Sequence, residues 1–400
     1  MPELSQRIRA IVTGGTDGWG VHYRARQMLN AGTPVVMLSV GDHDISTDRS
    51  ILAEMQRSAE GGHLGYTAVQ GTLGLRTAIA GRYTARGAAT VGPENVIVTS
   101  GGQGAIFASM MAALDPGDAC VVLDPFYASF DVTIRSVSAD PVIVPTAADD
   151  GFQPDATRIE AALTPRTRAI LMNSPNNPTG AVYAADRVAA IADLCRRRDL
   201  WLISDELYDS QVHDGAHTSP RDLPGMAERT FLIGSMSKGH AMTGARIGWS
   251  IAPKDAVDRM LDLAGATTYG LPGFLQDAAE FALTQRASHE AEVAARYRRR
   301  RDLALAIAQR SPALGVVPPG GGMYVMLDIR RTGLSGTQFA ERLLDDQHIA
   351  VMPGESFGRA AAGHIRIALT VADESLAEAV GKIAAFAEKI LPATDVAAGA

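Results

Sequence analysis

The stretch RAILMNSPNNPTGAVYAADRVAAIADLCRRRDLWLIS, residues 168–204, decides the fold of this chain. Its two short apolar runs, Arg168–Asn173 and Leu200–Ser204, predict strands that are buried on both faces. Between them, Asp186–Arg198 repeats apolar residues at helical spacing and predicts a helix. A strand, a helix and a second strand in this order predict a right-handed crossover between parallel strands.

The same alternation extends outward on both sides, from about residue 95 to about residue 255. The further strands that we predict are Val96–Ser100, Ala119–Asp124, Pro141–Pro145, Arg229–Gly234 and Arg246–Ala252. The predicted fold class is therefore α/β, with a mostly parallel sheet flanked by helices. We expect the carboxyl ends of all its strands at one edge, where ligands usually bind.

Beyond Lys254 helical patterns dominate as far as Ser311, and a shorter mixed region follows. We predict three parts: an N-terminal segment, residues 1–45, that packs with a small domain; a large domain, residues 46–290; and a small α+β C-terminal domain, residues 291–400. The arginine-rich run Arg296–Arg301 is expected to form the solvated face of a long helix.

The composition excludes several classes of protein. Of the 400 residues, 46% are hydrophobic and 20% are charged, which is typical of a packed globular protein and excludes intrinsic disorder. The formal net charge of −7 argues against nucleic-acid binding. No apolar segment reaches the ~18 residues of a membrane helix, and the first residues contain no apolar signal core. Cys120 and Cys195 follow no paired spacing, so we expect buried free thiols and a cytoplasmic protein.

Lys238 is the first candidate for chemistry, within SMSKGHAMTGARIG, Ser235–Gly248. It follows a predicted strand and lies among small residues, with Arg246 eight positions further on. A desolvated lysine near another cation can form a Schiff base with a carbonyl group. The segment also fits the SxxK pattern of penicillin-recognising serine enzymes, but the SDN and KTG tripeptides that those enzymes need do not occur.

Three further segments place polar groups at predicted strand ends. NSPNNPTG, Asn173–Gly180, is a stiff turn with two prolines. LISDELYD, Leu202–Asp209, ends a hydrophobic strand on Asp205, and a buried acid there needs a positive partner such as a protonated pyridine nitrogen. VTSGGQGAIF, Val98–Phe107, leads from a strand into a helix through glycines, which favours a single phosphate. A dinucleotide site is disfavoured because Phe107 stands where the GxGxxG motif needs its third glycine.

Together these motifs resemble the class I and II, fold-type I, pyridoxal-phosphate aminotransferases. The resemblance extends from LSVGDHD, Leu38–Asp44, to HIRIALT, His364–Thr370. It rests on the ordered series NxPxNPTG, SDELY, SxSKxxxxxGxRxG and HIR. The resemblance implies a large cofactor-binding domain, pyridoxal 5'-phosphate as the cofactor, a homodimer with shared active sites, and no metal.

The resemblance also implies a role for each matching residue. Lys238 is similar to the catalytic lysine that holds the cofactor and moves a proton, and Asp205 to the acid that pairs with the ring nitrogen. Arg366 resembles the residue that binds the substrate carboxylate, beside Gly41 and Asn177. The other implied cofactor contacts are Tyr127 on the ring face, Asn177 and Tyr208 at the ring oxygen, Gly102, Gln103, Ser235 and Arg246 at the phosphate, and Tyr66 at the phosphate of a neighbouring subunit.

The implied reaction transfers an amino group from an L-amino acid to a 2-oxo acid in two alternating half-reactions. Several stretches, including WGVHYRA at Trp19–Ala25, are most similar to arginine–pyruvate transaminases, so arginine and pyruvate are the expected substrates. Aspartate, alanine and aromatic donors stay open. His43 and Ile45 replace a proline and a phenylalanine that are common in the wider family. Further candidates on the substrate side are Trp19, His43 and, as an acidic wall for a cationic donor, Asp17, Asp42 and Asp44.

Two other functions compete with transamination. A fold-type I lyase that acts on a cysteine or cystathionine substrate would use the same cofactor residues but eliminate a group from Cβ. A transcription regulator with an aminotransferase-like sensor would carry an N-terminal DNA-binding unit, and Gly41 comes too early to leave room for one. The expected partners are small-molecule amino and oxo acids, with no nucleic acid and no membrane.

Overall fold

The structure is a computed structural model that describes residues 2–12, 18–87 and 89–392. Its strands are β1 Val36–Met37, β2 Val96–Ser100, β3 Ala119–Asp124, β4 Asp140–Pro145, β5 Thr167–Asn173, β6 Trp201–Asp205, β7 Thr230–Ser235, β8 Ile247–Ile251, β9 Gly315–Val316, β10 Tyr324–Asp328, β11 Ile349–Ala350, β12 Met352–Pro353 and β13 His364–Ala368. Its α-helices are α1 Gln6–Ala10, α2 Gly20–Asn30, α3 Arg49–Glu60, α4 Leu73–Arg86, α5 Gly101–Ala113, α6 Ser129–Ser136, α7 Ala156–Ala162, α8 Ala185–Arg198, α9 Met236–Gly239, α10 Lys254–Thr267, α11 Gly273–Thr284, α12 His289–Ala308, α13 Gly336–Gln347 and α14 Asp373–Lys389.

The central sheet has the strand order β2-β8-β7-β6-β5-β3-β4. The four pairings from β4 across to β7 are parallel, which confirms the mostly parallel sheet. The seven strands lie within one residue of the predicted bounds at each end. Alternate residues of β3 enter different apolar clusters, Cys120 and Val122 with α5, and Val121 and Leu123 with α8, so helices cover both faces.

One expectation about this sheet is wrong, because the carboxyl ends of its strands do not all lie at one edge. Strand β8 runs antiparallel to both of its neighbours, β7 and β2. The physical reason is the short connection, since only residues 236–246 separate β7 from β8 and a parallel crossover needs about a dozen residues or more. The amino end of β8 therefore lies beside the carboxyl ends of β7 and β2, with Ser235 paired to Gly248 and Ser100 to Ile247.

A second, four-stranded antiparallel sheet has the order β12-β13-β10-β9 and packs with helices α12, α13 and α14. Val21, Ala25 and Leu38 from the N-terminal part of the chain are buried in the same apolar cluster. Strand β1 pairs with β11 in a separate two-stranded sheet, and the Leu38 carbonyl oxygen accepts a hydrogen bond from the Ala368 N–H of β13, so the backbone also ties the N-terminal part to the four-stranded sheet. The bounds predicted for the three parts stay a prediction.

The arginine-rich run on α12 corrects a second expectation, since it is not simply a solvated face. Arg300 and Arg301 are buried. Arg300 donates to Asp44 and Asp373, which come from distant parts of the chain. Because these partners are remote in sequence, helical periodicity alone could not reveal the pairing.

The expectation of buried free thiols is confirmed at Cys120 and Cys195. Within the described part of the chain, no helix is both long and apolar enough to cross a membrane.

Candidate active site

A cavity of about 420 Å³ opens at the edge of the central sheet where most strands have their carboxyl ends. The structure brings ten of the residues predicted from sequence to its wall: Gly41, Gly102, Gln103, Tyr127, Asn177, Asp205, Tyr208, Lys238, Arg246 and Arg366. Trp19 and Asp42 also line it. A concave site with several converging charged groups is the arrangement expected of an active site.

Lys238 lies on the short helix α9, directly after strand β7. Its Nζ donates a hydrogen bond to the carbonyl oxygen of Gly41 at 2.6 Å. A Cβ atom at Gly41 would lie 1.9 Å from the Tyr324 hydroxyl oxygen, so a side chain cannot be accommodated there without displacing Tyr324. The glycine thus allows the N-terminal part of the chain to approach both the lysine and the cavity wall.

Asp205 ends strand β6, beside Asn173 at the end of β5. Only 5% of Asp205 is exposed, and among the described residues its carboxylate forms no ion pair within 4 Å. Its one hydrogen-bond donor is the Leu207 N–H, at 3.2 Å. Burial, together with the charge of the nearby Glu206, raises the pKa of Asp205 to about 7, although the Leu207 N–H and the Lys238 charge act to lower it. Such a buried, unpaired acid fits a cationic group of a bound ligand.

This buried acid predicts an unusual pH dependence for the protein free of ligand. The unfolded chain has an Asp pKa of about 3.9, whereas the folded pKa is about 7, so the folded state retains a proton that the unfolded state loses. The free energy of unfolding should therefore fall as pH rises from about 4 to about 7, by an amount on the order of a few kcal/mol. In Asp205→Asn this component should vanish, and the variant should melt above the unaltered protein at pH 8.

Thermal melts of the ligand-free protein from pH 4 to pH 9 check this expectation. Asp149→Asn is the matched control, because Asp149 is exposed. If Asp205→Asn and the unaltered protein lost stability in parallel over that range, Asp205 would not be the buried acid described above.

Arg366 lies on β13 and is almost completely buried, with 1% of its surface exposed. Its guanidinium stacks between the rings of Tyr324 and Phe357, 4.2 and 4.5 Å from their centroids. It donates to Asn177 Oδ1 at 2.8 Å and to the Ser39 carbonyl, while its Nε has no partner among the described residues. Burial lowers the pKa of Arg366. Because none of these contacts is a carboxylate, the site retains an uncompensated cation suited to an anionic ligand group.

A second anion cradle lies where β2, β8 and α5 meet. Helix α5 starts at Gly101, so its free backbone N–H groups point out of its first turn. Arg246 stands at the amino end of β8, and a Cβ at Gly101 would lie 2.4 Å from its guanidinium. Gly101 also has a φ of +70°, which favours glycine. The reversed direction of β8 is what brings Arg246 to this cradle.

Ser235 does not line the cavity, in contrast to Gly102, Gln103 and Arg246, which were predicted to hold the same phosphate. Its hydroxyl donates to Ile247 O at 3.1 Å and accepts from the Ser237 N–H at 3.0 Å, which caps helix α9. Ser237 lines the cavity instead. Tyr66 does not line it either: it is 91% exposed and packs edge-on against Tyr269, with ring centroids 5.3 Å apart.

Tyr324 was not predicted from the sequence, although it contacts much of the site. Its hydroxyl accepts a hydrogen bond from the Tyr208 hydroxyl at 3.1 Å, and its ring covers the Arg366 guanidinium. Burial raises the pKa of Tyr208 well above its usual range. The only local signal was the glycine-rich run Gly320–Gly322 before strand β10, which does not specify an active-site tyrosine.

The other substrate-side candidates are placed differently from one another. Asp44 is paired with Arg300, away from the cavity wall. His43 does not line the cavity but contacts the backbone beside Lys238. Asp17 lies outside the described residues. Of the three acids considered for a cationic substrate, Asp42 is therefore the one that the structure places on the wall.

Comparisons with known proteins agree with this geometry. The family Aminotransferase class I and II matches residues 33–383. Arginine–pyruvate transaminase of Pseudomonas aeruginosa is 42% identical over 389 residues, 97% of this chain and 98% of that protein. Aspartate/prephenate aminotransferase of Thermus thermophilus is 37% identical over 96% of this chain and 98% of its own length. The structure of the aspartate aminotransferase from Thermus thermophilus with maleate superimposes with a TM-score of 0.91 at 35% identity, over 96% of this chain and 100% of that one.

Proposed function

The chain belongs to the class I and II aminotransferases and is a transaminase, and from this premise we propose that it uses pyridoxal 5'-phosphate to transfer the amino group of L-arginine to pyruvate. The family is generally dependent on this cofactor. The observation that carries the cofactor proposal is the unpaired, buried Asp205 in the same cavity as Lys238 and Arg246. The observation behind the choice of substrate is the 42% identity to an arginine–pyruvate transaminase.

The donor set of the cavity fits each part of this cofactor. Asp205 would pair with the protonated ring nitrogen, which satisfies the buried acid. Arg246 and the first N–H groups of α5, at Gly102 and Gln103, would hold the phosphate. Ser235, the other residue predicted for the phosphate, lies off the cavity wall. The remaining proposed contacts are Tyr127 on the ring face, and Asn177 and Tyr208 at the ring oxygen. When bound, this cofactor supplies an electron sink for the substrate's Cα.

Each part of the reaction would then be carried out by a different residue of the chain. Lys238 Nζ would hold the cofactor at rest and, once free, take the proton from the substrate's Cα and return it. Arg366 would bind the α-carboxylate with its planar fork, with Asn177 bonded to the same guanidinium and Gly41 leaving room beside it. Since one cavity must accept the amino acid and the oxo acid in turn, the kinetics should be ping-pong.

The charges on the cavity wall favour a cationic side chain on the amino donor. In the described part of the chain, the acids on the wall are Asp205, which the cofactor would use, and Asp42. Asp42 Oδ1 accepts from the Thr243 hydroxyl at 2.8 Å and from the His43 N–H at 3.1 Å, which orients the carboxylate and leaves Oδ2 for a ligand. The cations on the described part of the wall are Lys238, Arg246 and Arg366, and each already has a proposed role. No further cation remains there to pair with a second carboxylate on the substrate.

Asp42→Asn should therefore impair the use of arginine specifically. Loss of one charged hydrogen bond should raise KM for L-arginine about tenfold or more. L-Alanine, which lacks the cationic side chain, is the matched control substrate and should be used at the original rate. Steady-state kinetics with both donors and pyruvate measure this, and an equal loss with the two donors would remove Asp42 from side-chain recognition.

The donor itself can be identified by absorption spectroscopy of the cofactor-loaded protein. Single L-amino acids are added without oxo acid, in the order arginine, lysine, alanine, aspartate, glutamate and phenylalanine, and pyruvate follows each. We expect the visible band to disappear with arginine and to return with pyruvate. Conversion by aspartate instead would favour the specificity of the Thermus relatives. Release of ammonia and pyruvate from a cysteine-type substrate would identify a C–S β-lyase.

We further propose a homodimer with shared active sites, in which Tyr66 serves the cofactor phosphate of the partner. Its exposure and its distance from its own cavity wall support this role. Tyr66→Phe should weaken cofactor binding about tenfold, the effect of one charge-assisted hydrogen bond. Mixing it with inactive Lys238→Ala under subunit exchange should create one intact site per mixed dimer, with Lys238 and Tyr66 from different chains. Activity that fails to rise on mixing would contradict sharing.

A cytoplasmic location is also proposed, supported by the two unpaired thiols.

A further inference from the structure

The segment Leu38–His43, here called the N-terminal strap, connects the two halves of the site. It continues from strand β1, bends at Ser39 and Val40, and has no regular secondary structure. Leu38 bonds two strands: its N–H donates to Ala350 O on β11, and its carbonyl oxygen accepts from the Ala368 N–H on β13, both at 2.8 Å. The Val40 carbonyl oxygen accepts from the Thr370 hydroxyl, just beyond β13, at 3.0 Å. One side of the strap is thereby fixed.

The odd-numbered residues of the strap bond the catalytic groups. Ser39 O accepts from the Arg366 guanidinium, and Gly41 O accepts from Lys238 Nζ. His43 continues the series, with its Nε2 3.1 Å from the carbonyl oxygen of Ser237, the residue before Lys238. The strap therefore contacts the arginine proposed to bind substrate, the lysine side chain and the backbone of the residue before the lysine in turn.

The partners of His43 determine which of its ring nitrogens carries the proton. A carbonyl oxygen can only accept, so Nε2 must be the N–H that donates to Ser237. Nδ1 lies 2.8 Å from the Tyr297 hydroxyl and, being unprotonated in the neutral ring, accepts from it. Burial and the charge of Lys238 lower the pKa of His43 to about 4, despite opposing contributions from Ser237, Asp42 and Asp44. At neutral pH the ring is thus neutral, with both nitrogens satisfied.

Tyr297 holds the ring from a rigid support. It is completely buried in helix α12, and its ring packs edge-on against His43 with centroids 5.5 Å apart. One turn further along the same helix, Arg300 donates to both carboxylate oxygens of Asp44, at 2.8 and 2.7 Å. Helix α12 therefore fixes His43 and the residue after it.

We propose that His43, oriented by Tyr297, is a positioning residue that aligns the Lys238 backbone with the N-terminal strap. It acts through the Ser237 carbonyl and does not touch substrate, since it is absent from the cavity wall. This inference rests on the proposed function of Lys238 but assigns a device that the residue common in the family, a proline, could not provide, because proline has no side-chain donor. His43 and Tyr297 thus couple helix α12, and the four-stranded sheet on which it packs, to the position of the lysine.

The test compares four variants in the cofactor-loaded enzyme. His43→Leu removes both hydrogen bonds and should lower kcat about tenfold, while KM changes less than about twofold because Arg366 keeps its own packing. His43→Gln can still donate to the Ser237 carbonyl and should restore kcat to within about threefold of the unaltered enzyme. Tyr297→Phe should lower kcat about threefold, and the double variant His43→Leu/Tyr297→Phe should be no worse than His43→Leu alone, because Tyr297 acts through His43.

A second readout uses neither cofactor nor substrate. Hydrogen–deuterium exchange of residues 236–242 should be faster in His43→Leu than in the unaltered protein, and His43→Gln should restore protection. His22→Leu is the matched control, since His22 bonds the strap at the Ser39 hydroxyl, at 2.9 Å, but does not reach the Lys238 segment. Its exchange over residues 236–242 should not change.

The outcomes separate this inference from the proposed function. If His43→Leu folds and shows unchanged kcat and unchanged exchange, or if glutamine is no better than leucine, the positioning role is wrong. If His43→Leu does not fold, Tyr297→Phe decides, because it removes a single oxygen from a retained ring. If the unaltered protein transaminates no donor, the proposed function fails, while the exchange experiment still tests the contact of His43 with Ser237.

Discussion

Replacement of Lys238 by alanine is expected to abolish transamination, with a loss of more than about ten-thousandfold in kcat. The expectation follows from the position of Nζ on the cavity wall, where its one hydrogen bond to a described residue goes to the Gly41 carbonyl. The amine can therefore give up that bond and react. No other lysine lines this wall in the described part of the chain, so no neighbour can replace it. Steady-state kinetics with L-arginine and pyruvate provide the measurement.

Two controls make this result specific to the amine. Lys238→Arg keeps a positive charge but loses the amine, and should be as inactive as alanine. Lys254→Ala removes an exposed lysine that pairs with Asp258 on α10, and should leave turnover unchanged. Normal turnover in Lys238→Ala would overturn the assignment of the catalytic lysine and, with it, the mechanism proposed above.

Arg366→Lys should produce the second-largest effect, about a hundredfold rise in KM for the amino acid and the oxo acid alike. Both substrates carry the same α-carboxylate, so both should lose the same bidentate contact. Lysine keeps a charge but cannot fill the space between the Tyr324 and Phe357 rings, nor bond Asn177 and Ser39 together. Measurement of KM for each substrate at saturating concentrations of the other tests this.

Arg330→Lys serves as the control for the second prediction, because Arg330 is exposed and pairs with Asp328 near the same sheet. It should change neither KM. A rise in KM for the amino acid alone would assign Arg366 to the donor's side chain, and unchanged values for both substrates would exclude it from carboxylate binding. A melting curve of each variant separates these effects from loss of the fold.

Local sequence motifs predicted most of the residues that line the site. Lys238 and Asp205 were identified because each lies at the end of a predicted strand, Arg366 was identified from the family resemblance of the HIR motif, and all three line the cavity. Ser235 fits the motif and was predicted to face the phosphate. Its hydroxyl instead caps helix α9, and Ser237 lines the cavity wall. The direction of one hydroxyl depends on which backbone groups it meets, and a motif does not encode that.

Other features could not be read from sequence because their partners are far apart along the chain. The hydrogen bond between Tyr208 and Tyr324 joins residues 116 positions apart, and that between Tyr297 and His43 joins residues 254 apart. The buried arginines of α12 are a further case, since Arg300 was expected in solvent and instead pairs with Asp44. Periodicity describes a helix face but not what covers it.

The sequence by itself determined the strands, the helices between them and the kind of chemistry, because apolar periodicity, turn residues and motif spacing are local properties. The tertiary structure decided the direction of β8, which brings Arg246 to the anion cradle, and the close approach of Gly41 to Lys238 and Tyr324. It also selected Asp42 over Asp44 as the acid on the cavity wall. Each of these depends on long-range packing, in which the path of the whole chain determines which groups meet.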